Sequence, residues 1–252
     1  MLKSLCIAFA TYSRIPVPRV EWTEKNMRWC ICFFPLIGAA VGAIELAWFY
    51  LARLIACPTL LRAAVAAVLP IALTGGIHLD GFCDTADALS SHQTRERMLE
   101  ILHDSNAGAF AVICYGAWLL LSFAAWSTLS EKAELWAAGL AFILSRALSG
   151  LALTNWKQAR SHGMLRTVAD AAKKTTVTAV MLGYILLCAV LLPVAASWRG
   201  AAVLAVNALV FLYYYCMSSR KFGGVTGDLA GYFVTLAELG SILILALTEA
   251  VA

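Results

Sequence analysis

Charge is scarce in this chain: Asp, Glu, Lys and Arg make up 13% of 252 residues, where soluble proteins carry roughly 25%. So few charges cannot cover a water-exposed globule, which excludes a soluble fold. The net charge is only +4; it reflects charged loops and argues against a nucleic-acid surface. Histidine is limited to His78, His92, His103 and His162, without the spacing of a zinc site. The cysteines include no CxxC pair, and most fall in apolar runs, where they read as small buried hydrophobes. No internal repeat is visible, which disfavours a transporter assembled from repeated halves. After Lys3 comes only a short apolar stretch with no cleavage site, so a removable signal peptide is not expected.

What the chain has in abundance is apolar length. Hydrophobic residues make up 62%, the mean hydropathy is +0.79, and several runs approach the ~20 residues that cross a bilayer as a helix. The expected fold is an all-α polytopic integral membrane protein, with residues 1–252 forming a single domain. Seven spans are expected, at 29–56, 60–77, 107–129, 135–154, 176–196, 201–217 and 230–251. Pro70 should kink the second. Pro16 and Pro18 stop any helix near the N-terminus, so residues 1–28 read as an interfacial segment. Thr94 is the expected N-cap of a short helix running to about Asp104, with Met98, Ile101 and Leu102 on one stripe.

Seven spans place alternate loops on opposite sides. The side holding the N-terminus then collects 14 of the 19 Lys and Arg, and cationic loops stay in the cytoplasm. The expected setting is a bacterial cytoplasmic (inner) membrane, with the N-terminus cytoplasmic and the C-terminus periplasmic. That topology gathers residues 80–104, the 155–174 loop and the 218–228 loop on the cytoplasmic face as polar loops forming one site.

The densest chemistry lies between 75 and 110. Six of the 15 acidic residues fall between Asp80 and Asp104. Asp80, Asp84 and Asp87 are spaced i, i+4, i+7, which puts three carboxylates on one helical stripe. Like charges so placed repel, and a divalent cation reverses the sign. Mg²⁺, which is held by a few carboxylates together with substrate phosphates, suits such an all-oxygen set. Asp228 follows Gly223-Gly224-Val225-Thr226-Gly227, a run able to wrap an anion with backbone N–H groups at a helix start. Glu238 lies deep in the last span and Arg146 inside the fourth. A guanidinium at that depth needs an anion, either a carboxylate such as Glu238 or a substrate phosphate. Glu45, inside the first span, reads equally as functional or structural. Arg160 and its loop offer cations for phosphates or for lipid headgroups. His78 and His103 stand beside the acidic motifs. Together these groups point to phosphoryl- or nucleotidyl-type transfer, in which a protein chiefly positions groups and neutralises charge.

The run Gly75-Gly76-Ile77-His78-Leu79-Asp80-Gly81-Phe82-Cys83-Asp84-Thr85-Ala86-Asp87-Ala88 closely resembles the signature of the cobalamin synthase family, the adenosylcobinamide-GDP ribazoletransferases. So does Met98-Leu99-Glu100-Ile101-Leu102-His103-Asp104-Ser105 with Gly108-Ala109-Phe110. Arg14-Ile15-Pro16-Val17-Pro18 fits the family's opening and Phe34-Pro35-Leu36-Ile37-Gly38 its first span, and Ser145-Arg146, Ala159-Arg160 with Gly163, and the 223–228 loop with Glu238 fit later positions in order. Three positions depart from the pattern: Ala88 where Gly is common, Cys83 where a small or apolar residue is usual, and His103 where Lys is common.

The resemblance implies a Mg²⁺-dependent membrane transferase. It would join adenosylcobinamide-GDP to α-ribazole, or to its 5′-phosphate, giving adenosylcobalamin or its phosphate plus GMP. In that reading Asp80, Asp84 and Asp87 hold Mg²⁺, and one of them or Asp104 accepts the hydroxyl proton. His78, Arg146, Arg160, Asp228 and Glu238 bind substrate. The expected surroundings are the lipid bilayer and no nucleic acid, with room for a homo-oligomer or for association with other cobalamin-assembly enzymes. A CDP-alcohol phosphotransferase is the nearest rival chemistry, but Asp80-Gly81 is followed by Phe82-Cys83-Asp84 rather than by that family's Ala-Arg.

Overall fold

The computed structural model describes residues 1–104, 106–129, 132–159 and 173–249. Among them every regular element is helical, apart from one isolated bridge between Gln158 and Val225. In chain order the helices are α1 (Leu2–Tyr12), α2 (Glu24–Met27), α3 (Phe34–Leu54), α4 (Thr59–Thr74), α5 (Ile77–Ser90), α6 (Arg95–Ile101), α7 (Ala109–Thr128), α8 (Lys132–Asn155), α9 (Lys174–Met217) and α10 (Gly227–Glu249). The expected all-α membrane architecture is the one observed.

Among the described residues five helices are long and apolar enough to cross a membrane, and the bent pair α4–α5 passes the same test only when its two helices are taken together, as a broken span or a re-entrant loop. The sequence expectation of seven differs because it divides α9. Inside α9, Ala196 and Ser197 leave the helical region, Ser197 with φ 52°. Arg199 pairs with Glu134 near the start of α8, whereas Thr178 accepts from Asn155 Nδ2 at its end, 3.0 Å away. Past the break, Phe211 and Tyr214 pack on Trp156. The arms 174–195 and 198–217 therefore run along α8 in opposite directions. Leu182, Leu186, Val190 and Val194 repeat every fourth residue on the exposed face of the first arm, an apolar stripe that suits lipid rather than water.

Small residues set the closest helix crossing. A Cβ on Gly42 of α3 would stand 2.8 Å from the Gly139 Cα of α8, and one on Gly38 would overlap the Phe142 carbonyl. Where lipid supplies no hydrophobic drive between helices, such backbone approach is what holds them. Gly38→Val should therefore destabilise the fold by more than the usual ~1–3 kcal/mol of an overpacked core, because backbone rather than a side chain must yield. Unfolding of the purified variant in detergent checks this.

The second expected span, 60–77, ends early. Its apolar run continues, but Gly75 and Gly76 both adopt left-handed backbone, φ 69° and 81°, which stops α4 at Thr74 and bends α5 by 95°. The Arg14 N–H donates to the Leu73 carbonyl at 2.7 Å, tying the proline-rich N-terminal segment to this corner. The short helix expected after Thr94 forms as α6, with the Thr94 hydroxyl accepting from the Arg97 N–H. It ends at Ile101 rather than at Asp104.

Candidate active site

α5 is short and carries Asp80, Asp84 and Asp87 after the corner at Gly75 and Gly76. It packs between the start of α7 and the start of α10. The approach to α10 needs Gly81: a Cβ there would stand 2.6 Å from the Asp228 carbonyl oxygen. Phe82 stacks on Tyr232 at 5.4 Å, one turn further along α10. This contact brings Asp228 to the α5 stripe. Thr226 caps the start of α10 by accepting from the Leu229 N–H at 3.2 Å.

The three carboxylates of the stripe differ in role. Asp87 accepts from the Gly108 N–H at 2.6 Å and the Ala111 N–H at 2.9 Å. It thereby caps α7 from another helix, satisfying amides that Gly108, the residue at the cap position, has no side chain to reach. Asp80 is exposed and borders a hollow of about 550 Å³ with Gly75, Gly76 and Tyr115. Asp84 and Asp87 border a second hollow of about 250 Å³ with Asp104 and Asn106. The Asp84 carboxyl is pushed up to about 7, first by partial burial and then by Asp80, Asp228, Asp87 and Asp104. Asp104, fully exposed, is held below its ordinary range by hydrogen bonds from the Asn106 backbone and side-chain amides, both 2.9 Å long.

Among the described residues no three His, Cys, Asp or Glu side chains form a ready-made metal centre. This agrees with the capping role of Asp87. The donor set nonetheless fits Mg²⁺, which is commonly held by one or two carboxylates plus substrate phosphates rather than by an all-protein cage. The mutual repulsion felt at Asp84 is the charge that a dication would relieve.

Arg146 and Glu238 sit deeper. Arg146 is fully buried and pairs with Glu238, which also accepts from the Ser145 hydroxyl at 3.1 Å. Of the two partners the sequence left open for Arg146, the carboxylate is in contact with it. Among the described residues the Arg146 Nε and Nη2 have no hydrogen-bond partner, nor does either of the buried Glu45 carboxyl oxygens. His78 is buried between the rings of Tyr12 and Phe34, 6.4 and 5.6 Å away, with its Nε2 unpartnered. It faces the interior of the bundle and borders neither acidic hollow. Arg160 lies outside the described residues. Arg95 was not singled out from sequence, since a cation on a short polar helix reads as a solvated face, yet it lies against the loop at Gly223.

Comparison with known proteins places this arrangement. No solved structure matches. Adenosylcobinamide-GDP ribazoletransferase of Lachnoclostridium phytofermentans is 43% identical over 250 residues, covering 99% of this chain and 95% of that protein. The protein of that name from Pseudomonas syringae is 37% identical over 219 residues, 86% of this chain and 87% of its own. That from Desulfitobacterium hafniense is 34% identical over 243 residues, 94% of each chain. The sequence profile described as cobalamin-5-phosphate synthase matches residues 4–246, and the chain belongs to that family.

Proposed function

We propose that this protein joins adenosylcobinamide-GDP to α-ribazole, or to its 5′-phosphate, releasing GMP. The observation that carries the reading is the convergence of Asp80, Asp87, Asp104 and Asp228 on Asp84. Three separate segments bring carboxylates to one point, and the family's relatives are named for a reaction on a diphosphate. Asp80 and Asp84, with Asp228 opposite and Asp87 contributing beside its capping bonds, would hold Mg²⁺. Bound there, the ion neutralises charge on the diphosphate.

The chain's own groups do the rest. The ribazole hydroxyl attacks the phosphorus on the cobinamide side, and the bond to the GMP oxygen breaks. One of Asp80, Asp84, Asp87 and Asp104 accepts the hydroxyl proton. Asp228, on the other side of Gly81, sets the position of the diphosphate. The Arg146–Glu238 pair braces α8 against α10 beneath it, and Arg160 and its loop add positive charge. Purified protein should release GMP from adenosylcobinamide-GDP only when both α-ribazole and Mg²⁺ are supplied. Release that needs neither would overturn the reading.

Acidity sets a further expectation. Below about pH 7 Asp84 carries a proton that an incoming cation must displace. The apparent affinity for Mg²⁺ should therefore rise about tenfold from pH 6 to pH 8, read as the half-saturating concentration in the GMP assay. A flat profile would remove Asp84 from the ion.

We also propose an inner-membrane location with the acidic face cytoplasmic, supported by the excess of Lys and Arg in the loops on that side. With a membrane-impermeant maleimide, Ser91→Cys and Ser219→Cys should label from the cytoplasm only and Trp198→Cys from outside only, over the parent protein's background. Labelling of residues 91 and 198 from the same side would contradict this and the division of α9.

A further inference from the structure

A cleft bordered by none of the acids lies between α6, the end of α8 and the turn after α9. It encloses about 450 Å³, and its walls include Arg95, Trp156, Lys157, Tyr215 and Ser219. That volume falls within the roughly 300–1,000 Å³ of small-molecule pockets. The β-bridge between Gln158 and Val225 borders it: the Val225 N–H donates to the Lys157 carbonyl at 2.8 Å, and the Ala159 N–H to the Val225 carbonyl at 3.0 Å. This bridge fixes the Lys157 backbone beside the glycine loop. Gly223 is left-handed with φ 77°, and a Cβ there would stand 2.9 Å from Arg95 Nη1, so the guanidinium lies directly on the loop.

The wall is cationic: no carboxylate lines this cleft, and the adjoining hollow carries a single one, Glu96, beside Arg95, Arg220 and Lys221. Among the described residues no carboxylate pairs with Arg95, Lys157, Arg220 or Lys221. Arg95 donates only a long bond, 3.4 Å, to the Arg220 carbonyl, and a second hollow of about 350 Å³ continues from Arg95 to Arg220 and Lys221. Facing the cations, the rings of Trp156 and Tyr215 stand 5.0 Å apart at 68°. Cations for a phosphate beside aromatic faces for a base are the two halves of nucleotide recognition. The glycine loop starts at this cleft and ends at Asp228, against α5. Six residues extend at most about 20 Å, so the cleft and the carboxylates lie at the two ends of one short loop.

We propose that this cleft binds the guanosine 5′-phosphate end of the nucleotide-activated substrate, with Arg95 and Lys157 on its phosphate and Trp156 and Tyr215 beside its base. The guanine rests on the ribazoletransferase reading above. An anionic lipid headgroup shares the phosphate chemistry, so the test separates the two.

Full-length protein in nanodiscs is titrated with GMP by calorimetry, in phosphatidylcholine alone and with phosphatidylglycerol added. Arg95→Gln and Lys157→Gln should each weaken GMP at least tenfold in both lipids. Each should raise KM for adenosylcobinamide-GDP while kcat stays within threefold. Arg97→Gln removes an equal charge two residues away, from an exposed pair with Glu100, and should leave both readouts within twofold. If the cleft variants release GMP from substrate with unchanged KM and bind GMP as before, the subsite is wrong while the reaction stands. If they lose only the response to phosphatidylglycerol, the cleft is a headgroup site and the proposal fails. If unmodified protein neither binds GMP nor releases it from substrate, the reaction itself is misread and the proposal falls with it.

Discussion

Asp84→Asn should lower GMP release about 10³-fold at saturating Mg²⁺. The amide keeps the shape of the side chain and removes the one carboxylate on which four others converge. Losing that charge lowers the attraction for a dication and leaves the diphosphate less neutralised as the leaving bond breaks. KM for α-ribazole should change little, because the effect falls on the transition state rather than on ground-state binding. Asp87→Asn makes the instructive contrast. Its oxygens already accept from the Gly108 and Ala111 amides, so its replacement should show first as a loss of stability of about 1 kcal/mol, the usual cost of a lost helix cap. Full activity in Asp84→Asn would remove the acid stripe from the chemistry.

Arg146→Met should cost about 3–5 kcal/mol of stability, because Glu238 is then left in the bundle with its charge uncompensated. Ser145 still donates to it, but one hydroxyl does not replace a guanidinium. The double variant Arg146→Met with Glu238→Gln should recover most of the loss, since breaking a buried pair is worse than replacing it. Reversible unfolding of purified protein in detergent supplies the measurement. Additive costs in the double variant would mean the two side chains are not energetically coupled.

The helices were legible in the sequence wherever an apolar run ended in polar loops, as at 109–128 and 227–249. They were not legible where a helix stops inside an apolar run. Gly75 and Gly76 turn the chain within such a run, and only their left-handed backbone marks the corner. The acid stripe was legible because i, i+4, i+7 spacing acts within one helix. The capping role of Asp87 was not, because the amides it serves lie 21 and 24 residues away. The sequence raised Glu238 as a partner for Arg146 through depth alone, and the packing of α8 on α10 brings the two together. The cationic cleft was not legible because Arg95 on α6 and Lys157 after α8 are 62 residues apart and line one hollow only in the fold.

Retention of Mn²⁺ in place of Mg²⁺, read by electron paramagnetic resonance, tests the heart of this account. With a GDP-bearing substrate present, unmodified protein should hold the ion, and the double variant Asp80→Asn with Asp84→Asn should lose it while remaining folded. Equal retention by both proteins would place the metal elsewhere and contradict the assignment of the reaction to the α5 carboxylates.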